Sequence, residues 1–451
     1  SGFMLSSRPW HALGALGALG ALGALGALAP SCSVRPDIRV PSFANGGLLR
    51  DAVQLPQPSY DALGAAWRVG GKGGALLGPD FVTKSAVNRL SLFGRPDAIY
   101  AITEGGCLDG GARVVFEGHW RYAENVDVGL IRLQVVDAAI ATKLCAGTFV
   151  AGDAPQVQFE GAWGKGDQEP SAPLTATFQA PLRVALDDDG QPDFLAGGHR
   201  ASATIQDYGA SENSLPGMRL IELLGAEFAE VDTRLTKDGV VVLMHDAELS
   251  PRLVQGRFCK GFVGDFTLGQ LRANCRLENG ETIPTLAEAL DVAFRSTRLR
   301  GVWLDTKAPE VLAHQLPLAA DYTVRGATRL REGGLPFTVV NGMYDASLVD
   351  VWRGLPHPAG TVCLLETDAA QALDAGCSIW APRFTLGPQA EEVAAAQANG
   401  LRVVYWTVNG TDVIDRFLKL GKPNAMISDT PGLVFYKYHV GDFTPPRPGR
   451  R

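Results

Sequence analysis

A few residue pairs in this 451-residue chain have the types and spacing to do chemistry. Glu230-x-Asp232 places two acids two apart, Asp305-x-Lys307 pairs an acid with a cation, and two histidines stand in His199-Arg200 and His245-Asp246. On a strand, residues two apart point to one face, so Glu230 and Asp232 would lie side by side. Two adjacent carboxylates repel unless a proton or cation lies between them. With Asp305 added, the set offers three hard oxygen ligands, suited to Mg²⁺ or Ca²⁺ and poorly suited to zinc. Arg200 and Lys307 supply positive charge for a phosphate group. His199 and His245 can exchange protons at neutral pH.

These residues must be brought together, and the hydrophobic pattern says how. After Gly190, buried apolar runs alternate with helical segments, the mark of an α/β architecture. The runs begin at Phe194, Glu227, Val302, Phe337, Thr361, Ser378, Arg402 and Ala425. Another run, Val240–Asp246, follows the second strand after only the short turn Thr236-Lys237-Asp238-Gly239. A parallel crossover needs a dozen or more residues, so this run must return as an antiparallel hairpin. Eight parallel strands remain, the number of a TIM-type (β/α)8 barrel with a β-hairpin excursion after its second strand. Reactive groups of such barrels collect at the C-terminal strand ends, where this sequence puts its polar residues. A turn centred between Lys237 and Asp238 would set position 245 opposite position 230.

The N-terminal half reads differently. Short alternating runs at 113–120, 129–136, 156–159 and 174–178, broken by Gly, Asp and Pro turns, indicate a smaller all-β domain, either sandwich-like or a small barrel. The expected organisation is a signal or low-complexity segment at 1–32, a Pro- and Gly-rich linker at 33–78, the β-rich domain at 79–190, the barrel at 191–440 and a disordered tail at 441–451. Five Ala-Leu-Gly repeats after Arg8, ending near Ala29, read as an export signal, against a membrane anchor or a low-complexity arm. Cys32 adds a lipid anchor as an alternative, although the usual leucine three residues earlier is missing. The other six cysteines permit three disulfides in an exported chain, with Cys259–Cys275 and Cys363–Cys377 stapling single loops, or six buried thiols. A composition of 46% hydrophobic and 20% charged residues is that of a globular protein. The formal charge of -7, with no basic stripe, argues against a nucleic-acid partner.

Residues from about Leu195 to Gly432 resemble the glycerophosphodiester phosphodiesterase family. The resemblance rests on Gly198-His199-Arg200, Glu212-Asn213-Ser214, Glu230-Val231-Asp232, Thr236-Lys237-Asp238-Gly239, His245-Asp246, Ile283-Pro284-Thr285-Leu286, Asp305-Thr306-Lys307, Trp406-Thr407-Val408-Asn409 and Ser428-Asp429-Thr430-Pro431, in that order. It implies a metal held by Glu230, Asp232 and Asp305, and an acid/base pair in His199 and His245. It also places Arg200, Lys307, Glu212 and Trp406 on the substrate side. The sequence departs from the family pattern at Ala201, where glycine is usual, and at Asp305, where glutamate is usual. Sphingomyelinase D-type phospholipases are related and carry Asp at the third ligand position.

The implied reaction is metal-dependent hydrolysis of a small-molecule phosphodiester or lipid, giving an alcohol and sn-glycerol 3-phosphate, with a cyclic phosphate as an alternative route. Phospholipase D-type cleavage of a lysophospholipid or sphingolipid and a non-catalytic phosphate-binding module are the rival readings. Export implies a periplasmic, secreted or envelope-associated protein, with association to a membrane surface left open.

Overall fold

The computed structural model describes residues 38–123, 125–184, 192–202 and 209–441. The expected signal segment and its repeats, Cys32 and nearly all of the expected C-terminal tail lie outside the described residues.

Nine strands form the N-terminal sheet: β1 (Val53–Gln54), β2 (Ala65–Gly71), β3 (Asp80–Ala86), β4 (Arg89–Gly94), β5 (Ile99–Leu108), β6 (Arg113–Tyr122), β7 (Val128–Val135), β8 (Gln158–Lys165) and β9 (Ala172–Pro181). Each of β2 to β9 pairs antiparallel with the next, and β9 returns to pair with β2 from Ala65↔Pro181 to Gly71↔Leu174. The sheet therefore closes into an eight-stranded up-and-down barrel, with β1 added alongside β5. Of the two architectures expected, sandwich or small barrel, the domain is the closed barrel; the expected boundary is corrected, because the domain begins well before residue 79. The closing strand β2 lies inside the stretch read as linker, where glycine and proline hide a weak alternation. Alternate residues fill the interior, among them Trp67, Phe81, Phe116, Trp120 and Phe159, with Trp67 and Phe159 edge to face at 4.9 Å.

The second sheet holds β10 (Leu195–Gly198), β11 (Phe228–Leu235), β12 (Val241–Leu243), β15 (Gly301–Thr306), β16 (Thr338–Met343), β17 (Val362–Leu365), β18 (Ile379–Trp380), β19 (Arg402–Tyr405) and β20 (Ala425–Ser428). Two further strands, β13 (Val254–Gln255) and β14 (Arg276–Leu277), pair with each other in the excursion after β12. Except for β12, the strands of the second sheet pair in parallel, and β10 meets both β11 and β20, so eight strands close a TIM-type barrel. All eight expected runs are barrel strands. β12 runs antiparallel to β11, as its short turn requires. The pairing Thr233↔Leu243 centres that turn on Asp238, one half-step later than expected. Thr236 and Val240 close it with a backbone bond of 3.0 Å, and Gly239 takes φ +79°, a conformation open to glycine without cost.

One helix packs between the two barrels, which Arg298–Asp61 and Lys84–Glu222 contacts also link. Pro431–Val440 is buried on all sides, so its apolar residues do not keep to one stripe, and its buried Lys437 pairs with Asp415 at 2.6 Å. It packs on the outward residues of the N-terminal barrel, with Phe93 and Phe435 rings 6.0 Å apart. No helix among the described residues is long and apolar enough to cross a membrane.

Disulfides join Cys259–Cys275 and Cys363–Cys377, and the remaining pair is Cys107–Cys145. In the loop-closure view, a bridge over about 15 residues stabilises by about 3 kcal/mol. The denatured, unreduced protein should therefore show none of these six thiols to a thiol reagent. Cys363→Ser with Cys377→Ser should lower stability by about 2–4 kcal/mol in urea unfolding. Six free thiols, or no loss of stability, would contradict the pairing.

Candidate active site

Strand alternation inside the parallel barrel decides which side chains meet. Phe228, Trp303, Leu364, Ala381, Val404 and Ile427 fill the barrel interior. Two residues further along each strand, on the same inward face, stand Glu230, Asp305, Glu366, Arg383, Trp406 and Asp429. On β10 and β16 the intermediate residues are Gly197 and Gly342. A Cβ there would meet the Phe228 ring at 2.3 Å and Trp303 Nε1 at 2.2 Å. Two large aromatics thus occupy the barrel centre at the expense of their neighbours' side chains, and the polar residues stand above them at the C-terminal mouth.

Glu230, Asp232 and Asp305 each offer an oxygen within 4.8 Å of the others. The strand register sets Asp232 beside Asp305. Asp232 is held by Asn213, whose Nδ2 donates to Asp232 Oδ2 at 2.7 Å and whose Oδ1 accepts from the Asp232 amide at 3.0 Å. Glu230 Oε2 accepts from the Arg200 amide at 2.7 Å. Lys307 bonds both Asp232, at 2.8 Å, and Asp305. Burial and the neighbouring carboxylates push the Glu230 acid well above its ordinary range. Burial raises Asp305 too, and Asp232 adds to that. Asp232 is also buried, yet Lys307, His245 and Arg200 hold it below its ordinary value. Lys307, with Arg200 at 3.8 Å and shared with Glu212, does not neutralise three acids, so this set of hard oxygen donors fits a divalent cation.

Each histidine has its own carboxylate. His199 Nδ1 lies 2.8 Å from Asp429 Oδ1, and Asp429 is fixed in turn by Asn409. His245 Nδ1 lies 2.6 Å from Asp246 Oδ1, and its carbonyl accepts two bonds from Arg234. Burial works against Asp246, but hydrogen bonds from His245 and Arg252 bring it down to about 2. A carboxylate on Nδ1 fixes the ring's orientation and leaves Nε2 for proton exchange. The observed register sets position 245 opposite Val231 rather than Glu230, past the end of β12, yet His245 still lies close enough to Asp232 and Asp305 to bias both.

Arg200 and Ala201 take φ of +53° and +45°, which explains why glycine is usual after His-Arg. Arg200 Nη1 reaches Glu212 at 3.4 Å, and its Nε is buried without a hydrogen-bond acceptor, 3.8 Å from Asp232. An anion in the mouth would satisfy that orphaned N–H. Glu212 also accepts from Arg252 at 3.3 Å, so it supports the two arginines. Trp406 spends its indole N–H on Ala381 O at 2.8 Å, and Arg383 lies over its ring at 5.2 Å. All nine expected site residues therefore gather at one mouth.

Sequence reasoning missed several others there. Asn213, Asn409 and Asp429 lay within quoted motifs without a role. Glu366 and Arg383 follow short strands and carry no motif. Burial, then Asp305, push Glu366 up to about 9.

Residues 198–309 match the model of the glycerophosphoryl diester phosphodiesterase family. A glycerophosphodiester phosphodiesterase of Caldanaerobacter subterraneus subsp. tengcongensis is 29% identical over 234 residues, 49% of this chain and 90% of that protein. Glycerophosphodiester phosphodiesterase 1 of Mus musculus is 39% identical over 97 residues, 20% of this chain and 28% of that one. Among solved structures, an Oleispira antarctica phosphodiesterase in complex with the product sn-glycerol-3-phosphate covers 53% of this chain and 94% of its own, at 20% identity and a TM-score of 0.40. The mouth and the family match together define a phosphoric diester hydrolase carried on a parallel barrel. Over that barrel the chain is similar to the glycerophosphodiester phosphodiesterase family.

The raised Glu366 acid carries a linkage. It keeps its proton when folded up to about pH 9 but ionises near 4.5 when unfolded. Folding is therefore unpenalised below the unfolded pKa and loses at most ~1.4 kcal/mol per pH unit between the two values. In chelator-treated protein, Glu366→Gln should leave the thermal midpoint at pH 4 unchanged and raise it at pH 8, by ~2 °C or more. An equal shift at both pH values would contradict a buried, protonated Glu366.

Proposed function

We propose that the barrel hydrolyses glycerophosphodiesters to an alcohol and sn-glycerol 3-phosphate, with His199 and His245 as the acid/base pair. The observation that carries this reading is the pair of carboxylate-backed histidines beside a three-carboxylate cluster and two cations. Glu230, Asp232 and Asp305 are the residues that would hold Mg²⁺ or Ca²⁺. The chemistry supplied by such an ion when bound is positive charge beside the phosphoryl oxygens and a lowered pKa for coordinated water.

The chain's own residues account for the rest. Arg200 and Lys307 are the two cations at the mouth that would face the phosphoryl oxygens. These fixed charges favour the charge that grows on the phosphoryl oxygens as water attacks. One histidine takes the proton from the attacking water through Nε2. The P–O bond to the alcohol breaks, and the other histidine gives its proton to the departing oxygen, so the pair ends with its protons exchanged. Asp429 and Asp246 hold the rings in place and stabilise each imidazolium as it forms. Trp406 and Arg383 form the wall for the rest of the substrate. The three disulfides support work in an oxidising, exported setting.

Glycerophosphocholine incubated with the Mg²⁺-loaded protein should release choline and sn-glycerol 3-phosphate. His199→Ala and His245→Ala should each lower turnover by about 10²–10⁴-fold with the fold intact by circular dichroism. Either variant retaining near-normal turnover would remove that histidine from the mechanism, and no release by the wild type would remove the reaction.

A further inference from the structure

We propose that the excursion from Ala247 to Thr285 is a membrane-docking element, which seats the barrel mouth on an anionic lipid bilayer. The excursion has a small core of its own, with Leu253, Val254, Leu271 and Leu277 packed beneath the Cys259–Cys275 disulfide. That core is complete, yet Phe258 and Phe262 on either side of the bridged Cys259 remain 67% and 55% exposed. Every other large apolar side chain exposed to this degree among the described residues is a valine or leucine. One of these, Leu386, follows β18 and so also stands at the mouth end of the barrel. Paired exposed aromatics on a cross-linked turn cost free energy in water, and a partner surface recovers it.

Charge says which partner. Between Leu253 and Val263 stand Arg257 and Lys260, with no acid, in a chain of formal charge -7. The Arg257 guanidinium lies over the Phe258 ring at 5.4 Å, so cation and apolar ring are presented together. Rings that enter the headgroup boundary, beside cations that meet lipid phosphates, are the parts of an interfacial anchor. An anionic surface would repel the rest of this acidic molecule and attract this tip, which fixes the orientation on approach.

The element is tied to the active site. Its two arms pair through Leu249 N–H to Gly261 O at 2.8 Å and Val263 N–H to Ala247 O at 2.9 Å, which puts Phe262 level with Glu248. Glu248 is three residues from His245. Arg252 bonds Asp246 at 3.0 Å and Glu212 at 3.3 Å, the carboxylates behind His245 and Arg200. Docking by the tip therefore presents the catalytic mouth to diesters at the bilayer surface. The inference concerns binding and stands apart from the reaction proposed above.

The test uses the full chain and vesicles of phosphatidylcholine, alone or mixed with phosphatidylglycerol. Wild type should sediment with the mixed vesicles, less so at high salt. F258S/F262S should partition about tenfold less, and R257Q/K260Q should lose the preference for phosphatidylglycerol. Both should hydrolyse a soluble diester at the wild-type rate. Because another segment could also bind lipid, F258W supplies the local readout: brominated lipid should quench its added emission relative to wild type. Failure of wild type to sediment overturns the proposal. So does an unquenched F258W on vesicles that sediment the protein, including the case where the two phenylalanines instead join two copies of the chain in solution.

Discussion

Three carboxylates converge in a mouth where one lysine reaches two of them, and the rest of the active half is arranged around that imbalance. Like charges a few ångströms apart in a buried site interact by several kcal/mol even at an effective dielectric near 20, about 4 kcal/mol at 4 Å. Without a divalent ion the site answers in the ways open to it: Glu230 and Asp305 rise toward protonation, and Lys307 leans across Asp232 and Asp305. Such an arrangement is unfavourable as pure structure, since a glutamine or serine would cost less. It makes sense as a cradle whose charge is balanced by a ligand, as perturbed acids in a cleft often are.

Keeping the acids so close requires a stiff frame. Phe228 and Trp303 fill the barrel centre, and Gly197 and Gly342 leave them the space. The mouth residues thus stand on a packed floor and cannot sink into the barrel. Asn213, Asp429, Asp246 and Glu212 then fix the orientation of the groups they touch. The hairpin adds a histidine that the eight parallel strands could not supply, because its return strand ends beside the mouth. The N-terminal barrel contributes through Pro431–Val440, whose outer side it covers; Phe435, packed on Phe93, and Tyr436, bonded to Asp80, would otherwise face water.

Much of this half is legible in the sequence because two regularities reinforce each other. Buried parallel strands read as apolar runs, and alternation tells which residue beyond each run points inward; both rules hold at Glu230, Asp305, Trp406 and Asp429. The rules weaken where geometry is set at long range. Closure of the N-terminal barrel depends on β2 meeting β9 across about a hundred residues, and Ala65–Gly71 carries too little alternation to announce it. The His245 register turned on one glycine conformation inside a five-residue turn. Glu366 follows a strand of four residues, too short for its inward face to be read. Cys107–Cys145 closes a 38-residue span that nothing local marks.

Proton release on metal binding tests the central claim most directly. Chelator-stripped protein is titrated with Mg²⁺ or Mn²⁺ by calorimetry in two buffers of different ionisation enthalpy. If Glu230, Asp232 and Asp305 form the site, a bound ion favours the ionised form of Glu230, which burial and the neighbouring acids push well above its ordinary range, so binding releases protons and affinity rises with pH. Asp305→Asn should weaken binding by about tenfold or more, and Asp305→Glu should largely retain it. Binding without proton release, or an affinity that Asp305→Asn leaves unchanged, would contradict the account.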